Sequence, residues 1–183
     1  MENATFEQYL EIGQMIKRGE IEKGLAQAVI EGRVTICSSI IKVPNLSASE
    51  LLAYARKEIG HLEIDQTFAK WDFIRGERGK TYEVLTHYFV RGVADGEVLA
   101  YFKERGFVGN TAAFVAWVTK HKPRGWHMTV PEMGDRLRRG SEFEPEVPSF
   151  NYLDGGYSLF LNLVEDTGDR DMFVAFREIQ QAA

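Results

Sequence analysis

Alternation restricts the fold of this chain more than any other feature. In Thr81–Val90, Tyr82, Val84, Tyr88 and Val90 fall on one side of an extended segment and Glu83 and His87 on the other, the period-two pattern of a half-buried strand. Thr67–Arg75 reads as a second alternating segment, with Gly76-Glu77-Arg78-Gly79-Lys80 as the hairpin loop between them. Three further strands are expected at Phe150–Leu153, Tyr157–Val164 and Met172–Arg177, separated by turns at Asp154-Gly155-Gly156 and Glu165–Asp171. Turns this short leave no room for the crossovers a parallel sheet needs.

Helical spacing fills the intervals. Phe6–Lys17 and Glu20–Ile30 carry apolar residues at roughly helical spacing, weakened by Gly13, Gly19 and Gly24. Val34–Val43, bounded by Gly32 and Pro44, reads as a buried strand. Ser47 and Glu50 form a capping-box pattern ahead of a helix over Ala48–Ile59. Asp95 opens a helix through Phe102 that Gly106 ends, Asn110 or Thr111 caps another through His121, and Pro131–Arg139 suits a short third. The expectation is therefore an α+β fold, with a mainly antiparallel sheet built from hairpins and helices packed on one face. At 183 residues and 44% hydrophobic content, the chain is read as one domain over residues 1–183. Within it, 1–62 reads as an N-terminal helical appendage to an α+β body at 63–183.

No stretch resembles a membrane span or a secretory leader, and the single Cys37 allows neither an intrachain disulfide nor a cysteine zinc site. A soluble, cytoplasmic protein is the expectation. Charge is unevenly distributed along it. Ten acids face seven bases in Met1–Asp65, eight face thirteen in Gln66–Gly140, and nine face two in Ser141–Ala183, so net charge runs −3, +5, −7. A basic middle within an acidic chain suggests an anion-attracting surface.

Three clusters carry the basic charge. Arg75, Arg78 and Lys80 lie at the expected hairpin tip, flanked by Trp71, Phe73 and Tyr82, although a solvated tip also needs charge and glycine and the rings suit a core. Lys120-His121-Lys122-Pro123-Arg124-Gly125-Trp126-His127 follows a helix end, where the macrodipole accounts for Lys120 and His121 but not for Arg124 and Trp126. Arg beside Trp suits phosphate contact with base stacking and equally a protein interface. Arg136, Arg138 and Arg139 form the third cluster, most economically a solvated helix end.

The expected function is non-enzymatic binding of a nucleic acid or nucleoprotein complex. Arg75, Arg78, Lys80, Lys120, Lys122, Arg124 and Arg138 would meet phosphate and Trp126 would stack. About five neutralised phosphates would give log affinity a slope of roughly −4 to −5 against log salt. The alternative is a protein-binding regulator or inhibitor of a nucleic-acid-handling enzyme, docking through its acidic C-terminal strands with Asp166, Asp169 and Asp171, or through Trp126. The nucleic-acid reading requires the basic clusters to escape pairing with their own chain's carboxylates. A helix-turn-helix over Asp95–His121 is disfavoured, because its second helix has no Arg, Gln or internal Asn to read bases and Phe114, Trp117 and Val118 look like core.

Chemistry-bearing patterns are sparse. Arg75-Gly76 with the later Glu142-Phe143-Glu144 superficially resembles ADP-ribosyltransferases, in which an arginine holds dinucleotide phosphates and a glutamate stabilises the oxocarbenium. The Ser-Thr-Ser strand of that family is missing, and the Glu-x-Glu lies in a Pro-bounded linker. His121 and His127 lack the spacing of a helical zinc pair, the acidic loop lacks that of a calcium loop, His61 suits a helix C-terminus and His87 a strand face. No cofactor and no metal are expected.

Overall fold

The computed structural model describes residues 35–69, 78–88, 95–130, 146–163 and 172–180. Its elements, in chain order, are β1 Thr35–Lys42, α1 Ala48–Ile59, β2 Leu62–Ile64, α2 Gln66–Ala69, β3 Thr81–Tyr88, α3 Asp95–Glu104, α4 Thr111–His121, β4 His127–Thr129, β5 Glu146–Leu153, β6 Gly156–Leu163 and β7 Met172–Glu178. The seven strands form one mixed sheet of order β1-β3-β7-β4-β5-β6-β2. Four neighbouring pairs are antiparallel, and β2–β6 and β4–β7 are parallel. The α+β architecture with a mostly antiparallel sheet is the one its alternation implies.

Local chemistry sets the boundaries of α1. Ser47 Oγ accepts from Glu50 N while the Glu50 carboxylate accepts from Ser47 N at 2.7 Å, a reciprocal capping box worth about 1 kcal/mol. The Ser47 hydroxyl and backbone bonds, reinforced by Arg78, hold the Glu50 carboxyl below the usual carboxylate range. Gly60 ends the helix at φ +85, donating to Arg56 O. Asn110 caps α4 by accepting from Ala113 N at 2.8 Å.

Strand β3 finds different neighbours from those its flanking sequence suggests. The expected hairpin partner, Thr67–Arg75, begins instead as α2, where Asp65 Oδ1 accepts from Thr67 N at 2.7 Å and Phe68 is fully buried. Both edges of β3 are occupied, one by β1 and the other by β7. No edge of β3 remains for a hairpin partner. The short Arg78-Gly79 turn survives, with Gly79 at φ +75 donating to Val43 O.

Two cores lie on opposite faces of the sheet. Tyr82 and Val84 of β3 and Val174 and Phe176 of β7 join α1, α4 and Phe68 in the larger one. The intervening Leu85, Phe173 and Ala175 join Val98 and Phe102 of α3, Phe107, Met128 and Val147 in the smaller. The main helical layer thus covers one face as expected, while α3 closes part of the other. Strand β7 is central and apolar on both sides from Phe173 to Phe176. Ile41, Val43, Leu51, Leu52, Ala55 and Leu62 share the larger core with the rest. The β5–β6 hairpin turns through Asp154 at φ +50 and Gly155 at φ +84, the paired positive φ values of a tight two-residue connection. Among the described residues no helix is long and apolar enough to cross a membrane.

Candidate interaction surface

Register separates the basic clusters. Lys80 precedes β3 and reaches Glu178 at the end of β7, Nζ to Oε2 3.0 Å. Trp126 sits at the other end of the same strand, its carbonyl accepting from Met172 N. Six residues of extended chain place the two about 20 Å apart. The described hairpin-tip cations, Arg78 and Lys80, and the Trp126 loop therefore do not form one basic face. Arg78 is exposed and lies in the field of Glu50, and Lys80 is ion-paired with Glu178. Tyr82 is core. Arg75, Trp71, Phe73, Arg136, Arg138, Arg139, Glu142, Glu144, Asp166, Asp169 and Asp171 lie outside the described residues.

The second cluster is built by helix ends. Helices α1 and α4 both start near the Lys80 end of the sheet and finish near the Trp126 end, so their carbonyl poles meet there. Lys122 Nζ donates to Glu58 O of α1 at 2.6 Å, Lys120 Nζ reaches Ile40 O at 3.4 Å, and Lys122 itself is the left-handed C-cap of α4 at φ 46. The Lys122 ammonium meets a terminal carbonyl of α1, as the macrodipole favours, whereas Lys120 reaches a carbonyl of strand β1. They are only partly free for a ligand.

Beyond Pro123 the chain presents rings. The Arg124 guanidinium carbon lies 5.6 Å from the Tyr152 ring centroid, Tyr152 and Tyr157 lie 4.7 Å apart, and Tyr157 stacks on buried Phe150 at 5.4 Å. The Tyr157 hydroxyl donates to Lys122 O at 3.4 Å. On the opposite face of the sheet Trp126, 37% exposed, meets Phe160 edge-on at 5.6 Å and 89°. Leu153 is 55% exposed at the adjoining turn. Arg124 has no carboxylate partner among the described residues. Tyr152 and Leu153 carry no motif, yet their position before Asp154-Gly155 places them at a hairpin tip, which is the signal that exposes them.

A buried histidine secures this loop. His127 Nδ1 faces Gly125 O at 3.3 Å, with Gly125 at φ +89, and its ring lies 5.5 Å from that of Trp117. Burial pushes its pKa down to about 4 against the opposing pull of the Gly125 carbonyl. His121, on the same Trp117 at 5.7 Å, is lowered by burial and by Lys120. His87, buried beneath Tyr101 of α3 at 4.2 Å, falls to about 4 through burial and the nearby Arg105. Among the described residues no group of His, Cys, Asp or Glu is arranged to hold a metal ion.

Helix α4 is no recognition helix. Every residue from Thr111 to Thr119 is buried, and Trp117 Nε1 donates to Ser39 Oγ of β1 at 3.2 Å. A helix inserted in the core cannot enter a groove. Strand β7 is equally unavailable as a docking strand, because both its edges are paired. Among the described residues, what remains is the Arg124–Trp126 loop with the β5–β6 hairpin. The chain matches no family model, no curated protein and no solved structure.

Proposed function

We propose that this chain is a non-enzymatic protein-binding module, and that it engages its partner through Arg124, Trp126, Tyr152 and the Leu153 tip. The separation of Lys80 from Trp126 along β7 carries this reading. Polyanion binding gains strength from many converging, unpaired cations, whereas here Lys80 is paired and Lys122 is spent on a helix end. A protein interface needs only a few half-exposed Trp, Tyr and Arg anchors. Those are the residue types gathered at this end of the sheet.

Selection from a random peptide library on the wild-type protein, with counter-selection on the Arg124→Glu/Trp126→Ala variant, tests the reading. The expected yield is a set of peptides retained by the wild type and lost by the variant. Failure to recover any such peptide overturns it.

Nucleic-acid binding is the second reading, favoured by the absence of a carboxylate beside Arg124 among the described residues. It predicts binding of single strands that weakens steeply with salt and is abolished by Arg124→Glu.

A further inference from the structure

Strand β1 closes one end of the sheet, with β3, β7 and β4 between it and the β5–β6 hairpin. Independently of the Arg124–Trp126 surface, we propose that the outer edge of β1 adds an extended, acidic strand of a partner protein, hydrogen-bonded to Ile40 and Lys42.

Backbone alternation decides which groups this edge offers. Val43 N donates to Lys80 O and Val43 O accepts from Gly79 N, so both of its polar groups turn toward β3. Antiparallel pairs alternate between residues that exchange both bonds and residues that exchange none, so Ile41 also turns inward while Ile40 and Lys42 turn outward. The other side of the ladder agrees: Thr81, opposite Lys42, gives its carbonyl to Ile179 N just beyond β7. A donor already stands at this edge, since Lys120 Nζ of α4 lies 3.4 Å from Ile40 O. That ammonium marks an acceptor the sheet leaves unused. The remaining outward groups, Ile40 N, Lys42 N and Lys42 O, have no hydrogen-bond partner among the described residues.

Side chains specify the occupant. Ile40 is 60% exposed, and exposed Lys42 shares its face, opposite the buried Ile41 and Val43. Lys120 adds an exposed cation from the α4 side, and neither lysine has a carboxylate partner among the described residues. Glu83, opposite Ile40 on β3, is held by Arg177. An incoming strand with an apolar residue beside Ile40 and carboxylates within reach of Lys42 and Lys120 gains backbone bonds and opposite-charge pairs together. Its amide takes over Ile40 O, and the Lys120 ammonium turns to the incoming carboxylate. A second copy of β1 would instead gather the lysines of both copies at one seam, which like charges oppose.

Amide hydrogen exchange of the full chain reads the edge first. In the free protein Ile40 and Lys42 are expected to exchange at least about tenfold faster than Ile41 and Val43; equal protection means that the edge is already covered and overturns the proposal. The probe is acetyl-Glu-Val-Glu-Val-Glu-Val-amide, with its lysine-for-glutamate analogue and its fully backbone-N-methylated form as controls. It is expected to slow exchange at Ile40 and Lys42 and to bind at least about tenfold tighter than either control. Ile40→Pro removes an outward donor without taking a bond from β3, and Lys42→Glu/Lys120→Glu reverses the charge; each is expected to weaken binding at least about tenfold. Should Ile40→Pro fail to fold, the charge reversal decides. Equal binding of the methylated peptide, undiminished binding by the charge-reversed variant, protection confined to other strands, or self-association that protects Ile40 and Lys42 without peptide overturns the proposal. Trp126→Ala is expected to leave this binding unchanged, so the two surfaces stand or fall separately.

Discussion

The Lys80 ammonium lies 3.0 Å from Oε2 of Glu178, joining the start of β3 to the end of β7. Both side chains are substantially exposed, so solvent and salt screen the pair, and its contribution is about 0–1 kcal/mol. Lys80→Ala should lower the urea midpoint only slightly and leave selected-peptide binding unchanged. A large loss of binding would return Lys80 to the functional surface.

Buried neutral histidines make stability fall in acid. Folded His87 and His127 titrate near pH 4, against an ordinary value of about 6.5 in the unfolded chain. Between those limits the unfolded state binds protons that the folded state refuses, so stability is fully present above about pH 6.5 and is lost as pH falls toward 4. Each group accounts for on the order of 3 kcal/mol across that window. Urea unfolding at a series of pH values should show this slope, and His127→Gln should reduce it by roughly half.

The burial of α4 predicts a different sensitivity. Phe114 is fully buried in the larger core, and Phe114→Ala should cost about 3–5 kcal/mol in chemical denaturation. Asn110→Ala, which removes the cap on Ala113 N, should cost about 1 kcal/mol.

Turn geometry offers a fourth test. Gly155 stands at φ +84 with open space where a Cβ would be, so the cost of a side chain there is conformational. Gly155→Val should destabilise by about 1–2 kcal/mol, and Asp154→Asn should be nearly neutral because Asn tolerates a positive φ.

How much of this was legible depended on whether the signal was local. Ser47 with Glu50, Asn110 and Asp154-Gly155 announce themselves because capping and tight turns are decided within four residues. The partner of β3 was not legible, because Thr67–Arg75 alternates plausibly while Asp65 and Phe68 convert its start into a helix that the core rewards. The helix on the second face is written in Phe173–Phe176, a continuous apolar run whose two-sided burial period-two reading passes over. Of the site, Arg124 and Trp126 stood out by type. Their distance from Lys80 is a property of strand order, and no charge count along the chain contains it.

The central claim is that the Arg124–Trp126 end binds protein rather than polyanion. A fluorescent peptide recovered from the library selection, titrated against the wild type and Trp126→Ala with a single-stranded oligonucleotide present as competitor, tests it most directly. The account predicts a loss of about thirtyfold or more in Trp126→Ala and no displacement by the oligonucleotide at physiological salt. Displacement by micromolar oligonucleotide, or undiminished peptide affinity in the variant, would contradict it.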